Sequence, residues 1–114
     1  MIDALFVYGT LAPGKANGHF LKPLPGHWQS AWTYGLLYPK GIGLTLGYPA
    51  VDISGEDKIE GLLFTSKQLA DLWPVLDEFE GEGYCRTAVT IYLTADQQPR
   101  QAYIYALTTP VDSV

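Results

Sequence analysis

Cysteine is nearly absent from this chain: Cys85 is the single one among 114 residues. One thiol forms no intramolecular disulfide, so the chain is not a disulfide scaffold. Together with only His19 and His27 it also falls short of a tetrahedral zinc set at any usual spacing. Long apolar runs are missing too. None approaches the roughly 20 residues that cross a bilayer, and Met1-Ile2-Asp3 lacks the basic stretch and apolar run of a secretory leader. The location expected from this is cytoplasmic. Basic residues are scarce, seven Lys and Arg against twelve Asp and Glu, for a formal net charge of −5. Such a balance repels phosphate backbones and anionic membrane surfaces, so neither nucleic acid nor membrane is an expected partner. A local pocket for a small anion stays open.

What is present suits one folded domain over residues 1–114, because a single core is expected up to well beyond this length. Hydrophobic residues make up 47% of the chain and charged ones 17%, enough apolar material for a core and too little charge for a disordered tail.

Ala4 to Tyr8 is a short apolar run that stops at Gly9, the pattern of a buried strand ending in a turn. The segment from Gly9 to Gly26 is rich in Gly and Pro, with room for one helical turn near Asn17 to Leu21. Ser30 to Tyr38 reads as a strand, and Pro39 to Pro49 as a long loop of the kind that carries function. Ala50–Ile53 and Ile59–Phe64 read as two strands of an antiparallel hairpin, separated by the turn formers Ser54-Gly55-Glu56-Asp57. Gly61 marks a bulge or a close backbone contact.

Thr65 to Glu80 is the one helical stretch. Thr65 and Gln68 are spaced as a capping box, and Leu69, Leu72, Leu76 and Phe79 as the buried stripe. Pro74 predicts a kink or a second short helix starting there. Tyr84 to Leu93 alternates as a half-buried strand, and Gln101 to Leu107 is the last strand. Many short strands with one helical region describe an α+β domain whose sheet curls toward a small barrel, because open edges on so short a chain are hard to protect.

Three places carry chemistry. At Tyr8-Gly9-Thr10-Leu11 a buried strand runs into a glycine turn, where successive backbone N–H groups can converge on a carboxylate or oxyanion. An ordinary strand-to-loop turn has the same local sequence. Second, Asp77, Glu78, Glu80 and Glu82 crowd the C-terminal end of the helix, whose partial negative charge raises carboxylate pKa values, as a general acid/base requires. A solvated acidic rim is the common alternative for such a run. Glu80, four residues beyond Leu76 at the edge of the stripe and followed by glycine, is the carboxylate expected to point inward. Third, Tyr84 and Arg86 leave one face of a strand, where a phenol and a guanidinium can orient a carboxylate. Arg86 equally suits a structural clamp on Asp77 or Glu78. Cys85 has no base pattern near it and reads as a small core hydrophobe, while Trp28, Trp32 and Trp73 read as packing residues.

Phe6-Val7-Tyr8-Gly9-Thr10-Leu11, and Leu76-Asp77-Glu78-Phe79-Glu80-Gly81 followed by Tyr84 and Arg86, resemble the two signatures of the γ-glutamylcyclotransferase-like family, which includes AIG2-like members. Gly47-Tyr48-Pro49-Ala50 and Ile59 to Phe64 are similar to segments between them, so the resemblance spans nearly the whole chain. It implies a mixed-sheet β-barrel with one or two short helices packed outside. It also implies an enzyme that releases 5-oxoproline and a free amine or amino acid from a γ-glutamyl compound without a metal or other cofactor. In that picture Tyr8 to Leu11 hold the α-carboxylate, Tyr84 and Arg86 complete the substrate site, and Glu80 is the acid/base. Ala12 departs from the family, where many members carry Arg. A non-catalytic module that binds a γ-glutamyl group or other small carboxylate is the other reading of the same fold.

Overall fold

The first strand is apolar at every position because both of its faces are buried. The computed structural model describes residues 2–108 and contains five strands and one α-helix: β1 (Ala4–Val7), β2 (His27–Tyr38), β3 (Ala50–Thr65), α1 (Leu69–Glu80), β4 (Tyr84–Leu93) and β5 (Pro99–Leu107). The strands close into a barrel in the order β1-β3-β2-β4-β5, with β1 parallel to β5 and the other pairings antiparallel. Closure leaves no sheet edge open, and the sheet is mixed as expected.

The period of two along each strand divides the core in two. Ala4 and Phe6 point into the barrel with Ala31, Val51, Ile59, Leu63, Ile91 and Ile104. Leu5 and Val7 point outward with Phe64 and Tyr105, and α1 covers them with Leu69, Trp73 and Leu76. The irregular segment after β1 adds Leu11 and Leu21 to this outer layer.

β3 corrects the hairpin expectation. It is one strand of 16 residues, because both its halves pair with the same partner: Leu36 faces Asp52 and the adjacent Gly35 faces Asp57. Residues 53–56 between them, which include the turn formers Ser54, Gly55 and Glu56, bulge out without reversing the chain, while Asp57 stays in the ladder. Asp52 Oδ1 stabilises the bulge by accepting hydrogen bonds from the Ser54 N–H (2.9 Å) and hydroxyl (2.6 Å).

The helix start differs as well. Thr65 is committed to the ladder, facing both Ala4 and His27, so the side-chain oxygen at this corner is that of buried Ser66, which accepts from the Gln68 N–H at 3.2 Å. Pro74 lies inside one continuous helix, not at the start of a second. The carbonyl it leaves without an intrahelical donor is that of Ala70, an exposed residue whose carbonyl water can satisfy.

Two side chains also moved from their expected places. Phe79 is exposed, because the buried face runs through Leu69, Trp73 and Leu76 and its next position is that of Glu80. Cys85 is exposed as well, not a core residue. It shares a face with buried Ile91, but it stands second in β4, where the barrel interior does not yet cover that face.

Gly61 makes the close contact its position in a strand suggests. A Cβ there would lie 2.5 Å from the Val7 carbonyl oxygen and 2.8 Å from the Phe6 ring, and the residue facing it on β2 is the equally small Ala31. This pair of small residues makes room for Phe6 inside the barrel. Gly61→Val is expected to destabilise the fold by about 2–3 kcal/mol through overpacking against a main chain that cannot retreat, as measured by urea unfolding. A loss under about 0.5 kcal/mol, within the range of ordinary surface substitutions, would show that β1 and β3 can part at this point.

Candidate active site

The site lies where β1 leaves the barrel. Beyond Val7 the chain enters a loop that closes on itself: the Ala12 N–H donates to the Gly9 carbonyl (3.2 Å) and the Asn17 N–H to the Thr10 carbonyl (2.8 Å). Asn17 Nδ2 donates in addition to Thr10 Oγ1 at 2.9 Å. Among the described residues, the main-chain N–H groups of Thr10 and Leu11 meet no protein acceptor. Held in a fixed loop, they are donors available to an anion.

Across a cavity of about 340 Å³ stands Glu80, at the last position of α1. The buried face of the helix runs Leu69, Trp73, Leu76, spacings of four and three, and the next step of four is Glu80. The carboxylate therefore continues the buried face where a fourth apolar residue would be expected. It is half-buried, whereas Asp77, Glu78 and Glu82 are exposed. Burial pushes the Glu80 carboxyl up to about 7. The physical cause is desolvation, not the helix-end charge or carboxylate crowding expected from the sequence. No hydrogen bond or ion pair engages the Glu80 carboxylate among the described residues.

Three tyrosines frame it. The Tyr8 hydroxyl donates to the Tyr105 carbonyl at 2.6 Å, and the Tyr84 hydroxyl to the Pro49 carbonyl at 2.7 Å. The Tyr105 hydroxyl donates to Asp77 Oδ1 at 2.7 Å. Desolvation raises the pKa of all three, with Tyr84 pushed up to about 12 and the nearby Glu80 charge adding to each. They remain neutral hydrogen-bond donors, not bases, at any ordinary pH.

The loop between β2 and β3 supplies the remaining wall with Leu44, Thr45, Tyr48 and Pro49. Its anchor is Thr45, 1% exposed, whose hydroxyl donates to the Ile42 carbonyl (2.9 Å) and accepts from the Ile42 N–H (3.0 Å). Gly41, with φ of 71°, lies so close to the Thr45 and Tyr48 carbonyls that no side chain fits. A glycine is therefore required there for the loop to fold back over the cavity.

Of the residues singled out in the sequence, Tyr8, Gly9, Thr10, Leu11, Glu80 and Tyr84 line this one cavity. Arg86 does not. Its Nε lies 3.2 Å from Asp77 Oδ1, and its guanidinium stacks between the Trp73 and Tyr103 rings at 4.8 and 4.7 Å. The other lining residues, Asn17, Leu44, Tyr48 and Phe79 among them, were not picked out as site residues. Only Asn17 carried a usable signal, as an amide in a Gly-rich loop seven residues beyond Thr10. Among the described residues, no group of His, Cys, Asp or Glu is arranged to hold a metal ion, and no helix is long and apolar enough to cross a membrane.

The sequence matches the model of the family described as γ-glutamyl cyclotransferase, AIG2-like, over residues 5–113. Among solved structures, YkqA from Bacillus subtilis is similar at a TM-score of 0.70 and 27% identity, the match covering 96% of this chain and 37% of that one. The chain thus spans little more than a third of YkqA. An AIG2-like protein from Mus musculus is similar at a TM-score of 0.69 and 20% identity, covering 97% of this chain and 80% of that one. A protein from Arabidopsis thaliana is similar at 0.70 and 23% identity, with 96% and 70% covered. Comparison with curated proteins gives no significant match. The fold is that of these relatives, a closed mixed barrel with an outer helix. On the family match over nearly its whole length, the chain belongs to the γ-glutamyl cyclotransferase, AIG2-like family.

Proposed function

We propose that the protein is a γ-glutamyl cyclotransferase that converts a γ-glutamyl compound to 5-oxoproline and a free amine. The observation that carries this reading is the unpaired, half-buried Glu80 facing, across one cavity, a loop whose Thr10 and Leu11 N–H groups are unengaged. A protein that merely packs would leave neither group unsatisfied around an open cavity. A binder that uses Glu80 only as a counter-charge has no need of a carboxyl pushed up to about 7.

The reaction follows from these groups. The α-carboxylate of the γ-glutamyl unit accepts hydrogen bonds from the loop, which fixes its α-nitrogen toward Glu80. An α-ammonium with a pKa of about 8 is no nucleophile at neutral pH, so Glu80 as carboxylate takes one of its protons. The freed nitrogen attacks the γ-carbonyl of its own chain. A C–N bond forms as the carbonyl π bond opens, and collapse of the resulting tetrahedral centre breaks the original amide C–N bond. Glu80 returns that proton to the departing nitrogen, and the second proton, shed by the ring nitrogen as it becomes an amide, passes by way of Glu80 to the released amine, so the products are the five-membered lactam and an ammonium, and no co-reactant is consumed. Folding the substrate within the cavity supplies the intramolecular advantage. The raised carboxyl suits both halves, since it is nearly matched to the groups with which it exchanges the proton.

Tyr8 and Tyr84 act as walls and struts, with their hydroxyls committed to main-chain carbonyls. Arg86 acts at one remove. Through Asp77 and Tyr105 it pins the last turn of α1 to β4 and β5, and Glu80 stands at the end of that turn.

Glu80→Gln keeps shape and removes the base. A panel of γ-glutamyl compounds followed by mass spectrometry should give 5-oxoproline with the wild type and about 100-fold less or lower with the variant. Product formation in both, or in neither, refutes the assignment. In the wild type, kcat/KM should rise with pH through about 7, as the carboxyl ionises. The same shift has a stability signature. The carboxyl titrates at about 7 in the folded protein against 4.5 unfolded, so its contribution to stability is fully present below 4.5 and is lost as pH rises through 7. Between pH 4.5 and 8 the wild type should therefore lose stability relative to Glu80→Gln, by on the order of 2 kcal/mol. Parallel unfolding curves across that range would mean Glu80 is solvated. For Arg86→Gln we expect stability lower by about 1 kcal/mol with KM within about twofold of wild type. A KM raised about tenfold at unchanged stability would instead give Arg86 a direct contact with substrate.

A further inference from the structure

We infer that Gly83 is a positioning residue for the proposed reaction: its bare α-carbon sets how far the loop that walls the cavity stands from the helix end bearing Glu80. The inference rests on the cyclotransferase reading. It adds to that reading a residue that does not itself line the cavity.

Gly83 lies in the turn between α1 and β4, just beyond Glu80. Its φ is outside the left-handed region, so backbone strain does not demand a glycine. The loop between β2 and β3 does. A Cβ at position 83 would lie 2.8 Å from Thr45 Cγ2 and 3.2 Å from both the carbonyl carbon and the Cβ of Leu44. Thr45 cannot turn its methyl aside. Its hydroxyl is tied to both the N–H and the carbonyl of Ile42, and on a β-branched side chain the place of the oxygen fixes that of the methyl. The contact is therefore rigid, and whatever enlarges residue 83 must move the main chain of the loop.

The turn grips the loop a second time at its far end, where the Tyr84 hydroxyl donates to the Pro49 carbonyl at 2.7 Å. It is itself held by Thr108, just past β5, which donates from Oγ1 to the Glu82 carbonyl (2.7 Å) and from its N–H to the Gly83 carbonyl (3.2 Å). Residues 82–84 thus brace the wall residues Leu44, Thr45, Tyr48 and Pro49 against the end of β5. Glu80 has a separate mooring, since its own helical turn is tied to β4 and β5 through Asp77. Crowding at residue 83 therefore falls on the wall and leaves the base in place. Wall contacts made equally in the ground and transition states appear in KM, and loss of the base appears in kcat.

With the γ-glutamyl compound that the wild type converts best, Gly83→Ala should raise KM about fivefold or more and leave kcat within about twofold. Thr45→Ser removes the crowding methyl and keeps the hydroxyl. Alone it should raise KM about twofold by loosening the wall, whereas in the Gly83→Ala background it should lower KM, a reversal of sign that marks a shared contact. Hydrogen exchange gives a readout free of activity. The Thr45, Gly47 and Tyr48 N–H groups close the loop on the Ile42, Lys40 and Thr45 carbonyls. In Gly83→Ala their exchange should speed by about tenfold while the β4–β5 ladder is unchanged. Thr108→Val, which deletes only the hydroxyl holding the Glu82 carbonyl, tests the brace without crowding it and keeps the test open should Gly83→Ala not fold; it should raise KM about threefold. KM unmoved in either variant, a loss in kcat alone, additive effects of the two substitutions, or exchange that speeds equally throughout would overturn the inference and leave the cyclotransferase reading standing. No 5-oxoproline from the wild type would sink that reading, and with it the part of Gly83 in the reaction.

Discussion

Burial of β1 on both faces is the constraint from which the rest of the structure follows. Ala4 and Phe6 complete the barrel interior, Leu5 and Val7 form the floor on which α1 packs, and the strand joins β3 to β5 to close the sheet. Each large apolar side chain fully buried contributes about 1.5–3 kcal/mol, so four consecutive buried residues fix this strand firmly for its length. The chain that emerges from its end has no freedom in where it begins. The loop carrying Thr10 and Leu11 inherits its position from that strand, as Glu80 inherits its own from the helix packed on the same strand's outer face.

Both halves of the site are thus referred to one element, which is the physical meaning of preorganisation here. A loop on its own could offer N–H donors, and a helix end could offer a carboxylate. Holding them across a cavity of about 340 Å³ requires that neither can shift independently. The Asp77, Tyr105 and Arg86 cluster serves the same end, since it ties the last helical turn to two strands of the barrel wall.

The carboxylate at the end of an apolar stripe opposes stability. Leu69, Trp73 and Leu76 gain by burial, and Glu80, next in the same line, is partly desolvated with no partner. A sequence optimised only for folding would place a leucine there. Local conflict of this kind, in which a position breaks the rule its neighbours obey, is where function is expected to lie.

Periodicity and turn chemistry by themselves determined much of this protein. The apolar run ending at Gly9, the alternation of Tyr84 to Leu93 and the single helix supply the elements of a small curled sheet with an outer helix, and the two family signatures imply its closure and the meeting of Glu80 with the Tyr8 to Leu11 loop. These signals are local, each written within a few residues, and local propensity survives into the fold. Only tertiary structure decided the remainder. The turn formers Ser54, Gly55 and Glu56 became part of a bulge because both flanks found the same partner strand, and Thr65 does not cap the helix because the ladder claimed it, Ser66 holding the chain at the helix entry instead. Arg86 was drawn to Asp77 and two aromatic rings, and Leu44, Tyr48 and Phe79 were gathered at one opening. Each of these outcomes depends on what stands opposite a residue across the barrel or the cavity, and a linear sequence does not record that.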